Sequence, residues 1–69
     1  MYNWVVVLPM ETPIPSCFRY YIVGNEIMIP VTFESAARRL IETEFSEIKG
    51  VFAEPKPFGF FADKELHHE

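Results

Sequence analysis

Between Phe18 and Phe33 the chain carries apolar side chains on both faces of what reads as a β-hairpin, and 69 residues leave little to cover two faces. With Gly24-Asn25 as the turn, Ile22 faces Ile27, Tyr20 faces Ile29 and Phe18 faces Val31 on one side. The other side shows Val23, Tyr21 opposite Met28, and Cys17, with Arg19 and Glu26 as its charges. One helix can bury the first face. The second needs an aromatic segment of the same chain, or another protein.

Pro30 complicates the hairpin. In a strict two-residue turn it falls opposite Arg19 in a hydrogen-bonded pair and lacks the amide that pair requires. A four-residue turn from Val23 to Glu26, or a bulge, removes the conflict, and the Pro30 side of the third strand is then a sheet edge.

Around the hairpin, Asn3 to Leu8 is a Val-rich run with the pattern of a central strand buried on both faces. The stretch from Pro9 to Ser16 holds Pro9, Pro13 and Pro15 and reads as a stiff, extended linker. From Phe33, apolar residues at 33, 36, 37, 40, 41, 45 and 48 make one helical stripe. The predicted helix runs from Phe33 to Lys49, with Thr32 as its N-cap and Gly50 as its stop. Glu34 and Arg38 stand four apart on its polar side, with Arg39 and Glu42 beside them. Val51 to Glu54 is a further short strand, and Pro55 and Pro57 keep the segment from Pro55 to Phe61 out of central structure.

The fold these elements imply is a small α+β domain of order β-β-β-α-β, with a mainly antiparallel sheet and one helix packed on one face. Residues 1–69 form one domain, with Glu65 to Glu69 as a frayed tail. The expected core comprises Trp4 or its neighbours, Phe18, Tyr20, Ile22, Ile27, Ile29, Phe33, Ala37, Leu40, Ile41, Phe45, Ile48 and Phe52. Seven Phe, three Tyr and one Trp offset the short length by the large area each buries.

Composition narrows function more than it assigns it. Ten acidic residues against six basic give a formal charge of −4, and the basic residues are scattered, so no stripe tracks a phosphate backbone. The lone Cys17 forms no intramolecular disulfide and fits a reducing compartment. The apolar run at the N-terminus lacks a positive flank, a cleavage site and the roughly 20 residues that span a bilayer. A cytoplasmic protein is expected.

Catalysis has little to work with. Cys17 has no evident base, and Glu42, Glu44 and Glu47 lie on or beside the helix's solvated side. His67 and His68, between Glu65 and Glu69, are adjacent at a terminus and poorly preorganised for a metal; they read as a tail or a cloning remnant. The chain is read as no enzyme, with no catalytic residue, cofactor, metal or small-molecule substrate.

What remains is a non-enzymatic protein-interaction module that self-associates and acts as an inhibitor or adaptor, roles common among small proteins, phage proteins included. Its partner-binding residues are expected to be Arg19, Tyr21, Val23 and Met28 on the outer sheet face, extended by Phe58, Phe60 and Phe61. On this reading Tyr21→Glu with Met28→Glu abolishes association and leaves the fold intact. The competing reading folds Phe58, Phe60 and Phe61 back to close the core. A weak nucleic-acid binder using Arg19, Tyr21, Arg38 and Arg39, and a structural subunit of a larger assembly, are the alternatives.

Overall fold

Val5, Val6, Val7 and Leu8 are each at most 1% exposed, an arrangement possible only for a strand covered on both faces. The computed structural model, which describes residues 2–57 and 59–67 and side chains from Trp4 onward, builds everything else around that strand. It is β1 (Tyr2–Pro9), flanked by β3 (Glu26–Val31) and β4 (Phe52–Pro57). Beyond β3 lie β2 (Tyr20–Val23) and the two-residue β5 (Leu66–His67), giving one antiparallel sheet of order β4-β1-β3-β2-β5. The single helix, α1 (Glu34–Glu42), packs on one face. The chain is a small α+β domain, as the sequence implies.

Alternation along the strands sorts the core into two layers. Val6, Leu8, Ile27 and Ile29 point to the helix, where they meet Ala37 and Phe45; Trp4, Phe18, Tyr20, Leu40, Ile41 and Ile48 pack around them. Val5, Val7 and Met28 point the other way. Burying side chains of this kind contributes at most about 1.5–3 kcal/mol each, so the four central residues of β1 are a large share of the driving force.

The hairpin pairs Tyr21 with Met28, Ile22 with Ile27 and Val23 with Glu26, leaving Gly24-Asn25 as a two-residue loop. Gly24 alone takes a positive φ there (61°), the arrangement of a type II′ turn, which suits the twist of the strands. The expected four-residue turn or bulge is therefore not used. Pro30 is accommodated by where pairing stops: β2 begins at Tyr20, one residue short of the position opposite Pro30. Pro30 still pairs across β1 with Val5, and on its β2 side it is an edge, as expected.

The prolines of β4 obey the same rule. Pairs Val7–Phe52, Val5–Glu54 and Asn3–Lys56 alternate with Val6–Ala53, Trp4–Pro55 and Tyr2–Pro57. Hydrogen-bonded and non-bonded pairs alternate in an antiparallel ladder, so both prolines fall where their nitrogens face away from β1. The strand thus runs past Glu54 to Pro57, and its outer edge is short of donors for a further strand.

Five further expectations need correction. Helix α1 ends at Glu42, well before Lys49: Thr43, as C-cap, still donates its amide to the Arg39 carbonyl at 3.0 Å, with its hydroxyl on the same oxygen at 2.7 Å, but its φ of −111° and ψ of −75° open the turn that follows. The Phe45 amide then donates to the Leu40 carbonyl, a wider turn that still sends Phe45 into the core, where it is 2% exposed. The N-cap is Phe33, without a side-chain capping bond, in place of Thr32; Phe33 is 65% exposed and outside the core, as are Phe52 and Ile22. Cys17 and Arg19 precede β2 and are exposed. Finally, Leu66 and His67 form a strand on Tyr20 and Tyr21, with His67 stacked on Tyr20 at 5.5 Å, where a frayed tail was expected; His68 and Glu69 lie outside the described residues.

Phe45→Ala is expected to cost about 3–5 kcal/mol, enough to leave a domain this size largely unfolded, whereas Phe33→Ser removes an exposed ring and supplies the missing N-cap hydroxyl, and is expected to raise stability by about 0.5–2 kcal/mol. Urea denaturation of the two variants checks the assignment of core and surface.

Candidate partner-binding site

The second face of the sheet is closed from within the chain. After Pro57 the backbone turns through bonds from the Phe60 amide to the Pro57 carbonyl and from the Ala62 amide to the Gly59 carbonyl. Gly59 takes a φ of +90°, a value that favours glycine. This turn lays Phe60 and Phe61 over Val5, Val7, Met28 and Val23. The Phe61 ring stacks on Tyr21 with centroids 4.2 Å apart and planes within 9°, and Phe60 meets Phe61 edge-on at 4.9 Å. Each such contact adds about 0.5–1.5 kcal/mol to the area buried.

Charge finishes the lid. The ammonium groups of Lys56 and Lys64 lie 4.6 and 5.1 Å from the Phe60 ring centroid. Lys56 also pairs with Glu54 at 2.8 Å, and Lys64 with Asp63 at 3.2 Å. The hydrogen bond and charge of Lys64 hold the exposed Asp63 carboxyl below its usual range. That small contribution exists above the ordinary carboxylate pKa and fades as pH falls through the lowered value.

The expected site residues therefore separate. Met28, at 3% exposure, lies in the core under the lid and cannot anchor a partner in this fold. Val23, Phe60 and Phe61 are half-buried parts of that same layer, and Phe58 lies outside the described residues. Arg38 is engaged by Glu34 at 2.8 Å across one helical turn. Arg19 and Tyr21 alone among the expected residues come together at a concave feature, one that sequence reasoning did not assign.

That feature is the fork left where β2 and β3 part at Pro30. The turn before it, closed by the Phe18 amide on the Pro15 carbonyl at 3.0 Å, swings Cys17, Phe18 and Arg19 away from Ile29, Pro30 and Val31. The resulting cleft has a volume of about 400 Å³. Phe18, Ile29, Val31 and Leu40 line it from the helix-side core; Tyr21, Pro30 and Leu66 line it from the outer face; Cys17 and Arg19 stand at its mouth. The lining thus combines apolar side chains with polar groups and one cation, Arg19. The signal for it was Pro30, whose consequence is a gap in pairing in place of a longer turn.

Fold and cleft together define a single-sheet α+β domain with a fork between two of its strands. A scan against protein-family models finds no match, and searches of curated proteins and of solved structures find none either. Among the described residues no group of three or more His, Cys, Asp or Glu side chains could hold a metal, and no helix is long and apolar enough to cross a membrane.

The position of Met28 reverses the outcome expected of the paired substitution. Met28→Glu buries a carboxylate beneath Phe60 and Phe61 and is expected to unfold the domain, since an unpaired buried charge costs several kcal/mol. Tyr21→Ala, Phe61→Ala and their double variant are expected to couple by about 0.5–1.5 kcal/mol in thermal or urea melts. Zero coupling would show that the stack does not form in solution.

Proposed function

We propose that this chain is a non-enzymatic protein-interaction module that seats an apolar side chain of a partner protein in the fork between β2 and β3. One observation supports the reading: an open cleft of about 400 Å³ in which Phe18, Ile29, Val31 and Leu40, side chains continuous with the core, stand among polar groups that include Arg19 and Tyr21. A protruding side chain placed there loses water on several sides at once, the setting in which interface anchors contribute most. Acting by occupation of a surface, the module works as an inhibitor or an adaptor.

The reading includes a reducing, cytoplasmic setting, in which the free thiol of Cys17 persists at the cleft mouth. It also includes self-association through the residues still exposed at the Pro9 end of the sheet, Met10 and Phe52 at 43% and 45%. The nucleic-acid alternative is less well supported, because Glu34 already neutralises Arg38, one of the cations it requires.

Cys17 makes the proposal testable, because it is the chain's single cysteine. Capping it with a bulky maleimide blocks the cleft mouth without altering the core. Affinity capture from source cells is expected to recover a protein with the unmodified chain and to lose it with the capped one, at low and high salt alike. Recovery that survives capping would sink the cleft as the docking site. Recovery of nucleic acid that vanishes with salt would support the alternative.

A further inference from the structure

We infer that the side chain seated in the fork belongs to an extended acidic segment of the partner, with a carboxylate next to the apolar anchor and paired with Arg19. The inference rests on the reading of the fork as a protein-docking cleft and states the chemistry of its occupant.

Charge complementarity is the basis. Among the described residues that line the cleft, Arg19 is the one that carries a charge. Arg38, Lys56 and Lys64 each have a carboxylate within 3.2 Å; Arg19, Arg39 and Lys49 have none within 4.0 Å among the described residues, and of these three Arg19 is the one at the cleft. Its guanidinium stands exposed beside apolar walls, where a planar fork of donors selects carboxylate geometry better than a point charge does. Within a chain of net charge −4, this local cation is set against the overall balance, so an acidic segment is recognised at the cleft and not drawn to the whole molecule.

The walls decide what accompanies the carboxylate. Phe18, Ile29 and Leu40 accept an aliphatic or aromatic side chain, and the polar part of the lining, to which Arg19 and Tyr21 contribute, meets the polar groups beside it. Pro30 has no amide to give, so an incoming strand cannot extend the β3 ladder there, and recognition is by side-chain insertion. The volume lies near the lower end of the roughly 300–1,000 Å³ typical of ligand sites, and the exposed mouth leaves room for a main chain to pass.

The thiol of Cys17 reports occupancy through its rate of alkylation by N-ethylmaleimide. Three capped peptides are the probes: leucine followed by glutamate, and copies with glutamine or lysine replacing the glutamate. The glutamate peptide is expected to slow alkylation and to bind about fivefold more tightly than the glutamine copy, the upper range for an exposed ion pair. Arg19→Gln is expected to erase that difference while leaving leucine-dependent protection in place. Equal protection by all three peptides overturns the acidic assignment and leaves the docking cleft standing. Protection by the captured partner but by none of the peptides has the same meaning. Absence of protection by peptides and partner alike overturns the docking cleft as well. Protection by octanoate equal to that by the glutamate peptide replaces the segment with a small apolar carboxylate. Protection that rises with protein concentration alone assigns the cleft to a second copy.

Discussion

Four consecutive apolar residues, Val5 to Leu8, place an unusual demand on a chain this short: the strand they form must be dry on both faces. One face is met in the ordinary way by α1 and the turn after it, which deliver Ala37, Leu40, Ile41, Phe45 and Ile48. The other is met by two rings on a single turn. Phe60 and Phe61 cover Val5, Val7 and Met28 because large rings bury much area with few rotatable bonds to order. The stack on Tyr21 and the two lysines on Phe60 fix the turn where burial alone would leave it free to slide.

Prolines determine where this sheet ends. Pro55 and Pro57 sit on β4 with their nitrogens turned outward, which lets a proline-rich stretch serve as an edge strand and discourages a neighbour. Pro30 has the same chemistry with a different result, because it lies on an interior strand. Pairing with β1 survives on one side, whereas on the other β2 must depart. The departure leaves a gap that the core side chains line without filling. The cleft is thus a consequence of one missing amide.

Much of this was legible in the sequence, where a period of two or of 3.6 left its mark. The facing of Tyr21 with Met28 and Ile22 with Ile27 follows from alternation, and it holds whether the turn has two residues or four. The Val-rich run announced a central strand. The helix end was not legible, because the stripe continues through Phe45 and Ile48 while the backbone widens after Thr43, where the Phe45 amide reaches back to the Leu40 carbonyl. Phe33 fitted the stripe and is nonetheless exposed, since periodicity cannot say which turn of a helix overhangs the sheet. The outer face was recognised as needing a cover, and the cover came from Phe60 and Phe61; what remained hidden was that Arg19 and Tyr21 flank a gap, since a gap depends on where two strands stop pairing.

The lid and the fork share a residue. Tyr21 stacks on Phe61 with one face of its ring and contributes to the cleft wall beside Leu66. Leu66 in turn is held by the two-residue strand β5, whose pairing partners are Tyr20 and Tyr21 themselves. A segment so briefly paired has little local stability of its own and leans on the aromatic layer for its position. Closing the second face therefore also builds one wall of the cleft. The solution to a folding problem, two apolar faces on a chain with one helix, is also what shapes the concave surface beside Arg19.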